Sequence, residues 1–210
     1  MFVGYNADDK IHGLLTRHTV SFNMPLLTHK KRKQFARYQF AIAAFNSSKR
    51  AVELLQAGEF PHTHPANEHL FTSLVVTYFR PFTENCGIGP LKEEEIPPGS
   101  KKIHCLLKRL RNETFGHTDA LTEFDTGEKT NRLMLEVETG AVHFSSSRIS
   151  FGSDILSELS SHLDRMIDVC ERGLDSIYEE FDLSSLPIGD FIVNIEKDSD
   201  ELLIPRNSES

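Results

Sequence analysis

Arg111 and His117 are the residues of this chain best suited to chemistry, six positions apart in Arg111-Asn112-Glu113-Thr114-Phe115-Gly116-His117. An imidazole exchanges a proton near neutral pH, and a guanidinium offers fixed, charged donors to oxygens on which negative charge grows. On one continuous helix, residues six apart lie ~9 Å apart along the axis and about 120° apart around it, so the two side chains do not converge unaided. Either the helix ends between them or a second copy contributes.

The elements around the pair follow from apolar spacing. Lys101 to Leu110 reads as an amphipathic helix, with Ile103, Leu106, Leu107 and Leu110 inward and His104, Lys108 and Arg111 on the polar side. Gly116 stands where a helix C-terminal glycine would, leaving His117 just past the last turn. Upstream, Lys31 to Gln56 forms a long helix whose stripe is Phe35, Tyr38, Ile42, Phe45 and Val52, stopped by Gly58. Beside that stripe run Ala41, Ala44, Ser48 and Ala51, small enough for a second helix to approach closely. A second helix runs from Ala66 to about Phe79, with Leu70, Leu74, Val75 and Tyr78 inward, Pro65 at its first turn and Pro81 at its end. Thr83 to Ser100, rich in Gly and Pro, reads as a connection without regular structure.

Beyond the motif, Arg132–Val137 and Ala141–Ser147 are β-prone runs around Glu138-Thr139-Gly140, the pattern of a hairpin. A lone two-stranded ribbon is marginal in water, so it must lie on the helices or on a partner. The last long helix opens at Gly152-Ser153-Asp154, where Ser153 offers an N-cap oxygen, and carries Leu156, Leu159, Leu163, Met166, Cys170, Leu174, Ile177 and Phe181 in one stripe. The expected fold is mainly α: an up-and-down bundle of about four main helices with a small β-hairpin inserted before the last. Residues 1–30 read as an irregular arm, 31–195 as one helical domain, and 196–210 as a mobile acidic tail.

Arg-Asn, four residues and His resembles the Arg-x(4–6)-His signature of the HEPN superfamily, small helical domains that include ribonucleases of toxin–antitoxin, abortive-infection and RNA-guided defence systems. A polar residue after the Arg is typical of the family, and Asn112 fits; a hairpin between the motif and the last helix departs from it. The resemblance spans roughly residues 31–181. It implies metal-independent endoribonuclease activity without a cofactor. In such a reaction His117 handles the proton of a ribose 2′-hydroxyl or of the leaving 5′-oxygen, Arg111 steadies the phosphate, and a 2′,3′-cyclic phosphate results. It also implies a twofold homodimer that joins two copies of the motif, and an antitoxin protein as a further partner.

Supporting roles are open to more than one reading. Asn112 could hold the imidazole or bond the backbone. Asp119 could orient His117, or be a solvated turn carboxylate. Arg80, at the end of the second helix, could touch a phosphate or simply cap helix carbonyls. Lys101, Lys102, Lys108 and Arg109, with the run His29-Lys30-Lys31-Arg32-Lys33, could form a local RNA track, though each alone is an ordinary solvated face.

Composition sets the bounds. With 31 acidic and 23 basic residues the net charge is −8, which disfavours indiscriminate polyanion binding and makes any RNA contact local. Cys86, Cys105 and Cys170 are odd in number and widely spaced, as suits reduced thiols in a cytoplasmic protein. Met1 to Lys10 lacks the pattern of a secretory signal, and no apolar run is long enough for a bilayer, so no membrane partner is expected. His62, His64 and His69 with Glu68 could bind zinc but match no ligand spacing, and surface imidazoles in a loop are the plainer reading. No glycine-rich phosphate loop, serine elbow or HExxH is present. The alternative to a ribonuclease is a non-catalytic helical module for dimerisation or protein binding.

Overall fold

The apolar 3–4 spacing of the two longest predicted helices is realised as α1, His29–Ala57, and α4, Ser153–Tyr178, with α2, Pro65–Phe79, and α3, Lys101–Arg109, completing a mainly α, up-and-down bundle. The computed structural model describes residues 28–61, 64–84, 87–115, 133–139, 141–146, 151–180, 191–193 and 203–205. A two-stranded antiparallel hairpin, β1 Leu133–Glu138 and β2 Ala141–Ser146, precedes α4, with Val137 opposite Val142 and Leu135 opposite Phe144. Among the described residues no helix is long and apolar enough to cross a membrane.

The caps explain where the helices begin and end. Thr28 accepts from the Lys31 N–H at the start of α1, and Gly58 closes it at φ 66°, a left-handed conformation that costs glycine little. His64 caps α2: its Nδ1 accepts the Ala66 N–H at 3.1 Å, and Pro65 takes the first helical position. The surface role expected of this imidazole is thus a local structural one. The expectation that Ser153 caps α4 is corrected, because the N-cap is Gly152, without a side-chain bond, and Ser153 already lies in the helix.

α1 runs antiparallel to α4, tied by the ion pairs Lys31–Glu180 and Lys49–Asp164, and antiparallel to α2, where the Ser48 hydroxyl lies 3.2 Å from the Leu74 carbonyl. Ala41, Ser48 and Ala51 are buried, as the small-residue ridge requires. The α1–α4 approach also depends on Gly173: a β-carbon there would come within 2.4 Å of the Tyr38 ring. The stripe of α4 from Leu156 to Ile177 is buried throughout, each large apolar side chain contributing about 1.5–3 kcal/mol. Phe181, its last expected member, lies outside the described residues, as do the arm up to residue 27 and Cys86.

Two stretches are more ordered than expected. Between α2 and α3, short 3-10 turns form at Arg80–Phe82, Glu93–Glu95 and Pro98–Ser100, while Leu91 and Ile96 enter the core. Arg37 donates to the Ile88 carbonyl at 3.0 Å, and the Tyr38 hydroxyl donates to Glu95 at 3.0 Å, so this segment is stitched to α1. Its glycines and prolines exclude long helix or strand, not order. Near the end of the chain, β3 Phe191–Val193 pairs antiparallel with β4 Leu203–Pro205, and β4 falls within the stretch read as a tail.

Candidate functional site

The site is built where α2 ends and α3 changes its winding. α3 is regular to Arg109, and Leu110–Phe115 then follows in a π-helical turn, whose hydrogen bonds reach five residues back rather than four. Leu110 is buried and anchors the turn in the core. Arg111 is half-buried, with its guanidinium carbon 5.5 Å from the centre of the Phe79 ring, while Asn112 faces solvent. The ring holds the cation by its electron-rich face and fixes the direction in which the guanidinium donors point. Arg80, next in sequence to Phe79, is exposed at the C-cap of α2. The structure thus places Arg111 on the ring of Phe79, the residue that precedes Arg80 in the chain.

Along α3, Lys101 and Lys102 are exposed near its start and Arg109 is half-buried near its end. Between Lys101 and Asn112 the chain carries five cations and no carboxylate. Lys108 reaches across to Glu93 of the α2–α3 segment at 2.5 Å, and that bond holds the Glu93 carboxyl below its usual range. Gly116, His117 and Asp119 lie outside the described residues, so the convergence of His117 with Arg111 is not part of this geometry.

Behind Phe79 lies a polar cluster that the sequence did not expose. The Tyr78 hydroxyl is 2.8 Å from Nδ1 of His104 and 2.8 Å from Nε2 of His162, bridging α2, α3 and α4. His104 is 3% exposed and His162 0%. The placement of His104 on the polar side of α3 is therefore corrected: between the exposed Lys101 and Lys108 its ring turns inward, where the Tyr78 hydroxyl supplies the partner a buried imidazole needs. Nε2 of His104 faces Oε1 of Glu93 at 3.8 Å, which favours a proton on that nitrogen. Nδ1 of His104 then accepts from the Tyr78 hydroxyl, and the Tyr78 oxygen accepts from Nε2–H of His162. Burial lowers the pKa of both imidazoles, that of His162 to about 4, with Arg165 and His104 adding repulsion there. Both are neutral at pH 7, and burial raises the Tyr78 phenol above its ordinary range. Phe45, Phe79 and Phe82 pack around Tyr78 with ring centres 4.9–5.6 Å away.

The signal for His162 was present, since it sits three residues after Leu159 and four before Met166, inside an otherwise apolar stripe. Among the described residues no group of histidine, cysteine or carboxylate side chains is placed to hold a metal ion. His69 is exposed, and Cys105 and Cys170 are free thiols, the buried Cys170 pushed up to about 12 by desolvation. On the hairpin, Leu135, Val137 and Val142 share one exposed face. No family model, curated protein or solved structure matches the chain.

Proposed function

We propose that the protein is a metal-independent endoribonuclease of HEPN type that acts as a defence or toxin effector, with Arg111 and His117 as its active pair. The observation that carries this reading is the π-helical turn Leu110–Phe115, which brackets Arg111 and Asn112 at the end of a helix with four cations. Such turns are rare and concentrate at functional sites, because they interrupt a regular ladder and need a compensating reason to persist. Arg111, steadied on Phe79, stabilises the phosphate; Arg80, Lys101, Lys102, Lys108 and Arg109 guide the RNA backbone; His117 moves the proton, and Asp119 orients it. A twofold dimer joins two copies of the motif, and an antitoxin protein restrains the enzyme.

The exposed apolar face of the hairpin favours a second reading, a non-catalytic module that binds a partner protein through Leu135, Val137 and Val142. One experiment separates the two. Mixed-sequence RNA is incubated in EDTA with the parent protein, Arg111→Ala and His117→Ala, and the 3′ ends of any fragments are identified. Cleavage to 2′,3′-cyclic phosphates by the parent, with at least about a hundredfold loss in either variant, supports the nuclease. Intact RNA beside a folded parent protein supports the module.

A further inference from the structure

His104, Glu93 and Lys108 form a three-membered charge cluster in which one carboxylate faces two nitrogen partners. Glu93 comes from the segment before α3, whereas His104 and Lys108 are one turn apart on α3 and so share a face. At neutral pH the carboxylate is committed to Lys108, at 2.5 Å, and stands 3.8 Å from Nε2 of His104. That nitrogen is buried and has no hydrogen-bond partner among the described residues. The arrangement has a second state of comparable connectivity, in which the carboxylate bonds a protonated His104 and Lys108 turns to solvent. Lys108 has the freedom to do so, its side chain being 48% exposed.

We infer that polyanion binding along α3 is coupled to protonation of His104, with Glu93 as the partner that changes hands: a proton on His104 draws Glu93 away from Lys108 and frees its ammonium for a phosphate. This rests on the reading of α3 as an RNA track. The electrostatics set the direction. With neutral His104 the cluster is formally uncharged, because Glu93 cancels Lys108; with a proton it carries one positive charge, on the face that meets RNA. By linkage, a phosphate bound to Lys108 in turn favours the proton, since it competes for the same ammonium and releases Glu93 to the imidazole.

The other groups around His104 are consistent with a single proton. From α2, the Tyr78 hydroxyl donates to Nδ1 and remains neutral. From α4, His162 lies beyond Tyr78 and Arg165 bonds the Ser100 hydroxyl at 2.8 Å; burial, Arg165 and His104 together keep His162 neutral, so it takes no second proton. From the preceding segment, Glu93 is the carboxylate that faces the ring. Desolvation opposes charging His104 while Glu93 promotes it, so the exchange occurs below the ordinary imidazole range.

The test is binding of a fluorescein-labelled, 2′-O-methylated mixed-sequence RNA of about twenty nucleotides, which lacks the reactive hydroxyl, followed by anisotropy in EDTA between about pH 7.5 and 5.5. The parent protein is compared with Glu93→Gln and with His104→Asn, whose side-chain oxygen can still accept from Tyr78. Affinity of the parent should rise at least about threefold more on acidification than that of either variant, and Glu93→Gln should bind more tightly than the parent at the upper pH, its Lys108 being free throughout. Titration of the remaining histidines is common to all three proteins and cancels. Equal pH slopes in the parent and Glu93→Gln, whose exposed position tolerates the change, would overturn the coupling while leaving the RNA track intact. Absence of binding at every pH would remove the track itself, and the coupling with it.

Discussion

The α1–α4 seam and the corner where α2, α3 and α4 meet are both buried but are held by different means. Along the seam, small residues let the backbones close up, apolar side chains fill the space, and ion pairs lie only at the margin. In the corner, two imidazoles and a phenol occupy the centre, linked by two hydrogen bonds that come from three helices. Apolar packing is permissive, since any side chain of the right volume serves. A buried polar chain accepts one arrangement and penalises others, so it fixes the position of α3, and with it the Phe79–Arg111 pair.

That contrast can be broken from either side. Met166→Ala, on the fully buried stripe of α4, should lower stability by about 2–5 kcal/mol at any pH from 4 to 8, measured by chemical denaturation. The corner should instead be pH-dependent. His162 takes up a proton near pH 6.5 when unfolded but only near pH 4 in the fold, so the unfolded chain binds more protons in between. Its contribution is therefore fully present above pH 6.5 and lost as pH falls towards 4, by about 3 kcal/mol in all, a loss that His162→Leu should abolish. An unchanged slope in that variant would place the acid sensitivity elsewhere. Tyr78→Phe should have a smaller effect, about 1–3 kcal/mol, by leaving two buried imidazoles without their shared hydroxyl. The ring packing would survive, and a loss close to zero would mean that the chain contributes no net stability.

The two regions also differ in how far the sequence disclosed them. The α1–α4 seam was legible because its apolar and small residues recur at the helical period, and each could be read within its own helix. The hairpin was legible for the same local reason, to within a residue at each end. The corner was not. His104 belongs by type to the polar side of α3, and its burial depends on Tyr78, 26 residues before it, which in turn bonds His162, 84 residues after Tyr78. Such partners are set by tertiary packing rather than by period. The motif singles out Arg111 and Asn112 as candidates, yet the π-helical winding that carries them leaves no mark that spacing alone reveals.

That winding makes the chain sensitive to counting. A π turn takes up about one residue more than an α turn, so deleting a single position within Leu110–Phe115 would let α3 continue in regular form. Because the wider turn already absorbs the extra residue, the helix would keep nearly the same facing at the far end of the turn, and only the side chains within the turn would change place. Point changes on this turn alter which side chains it presents; loss of one residue would remove the widening itself, and with it the present seat of Arg111 on Phe79.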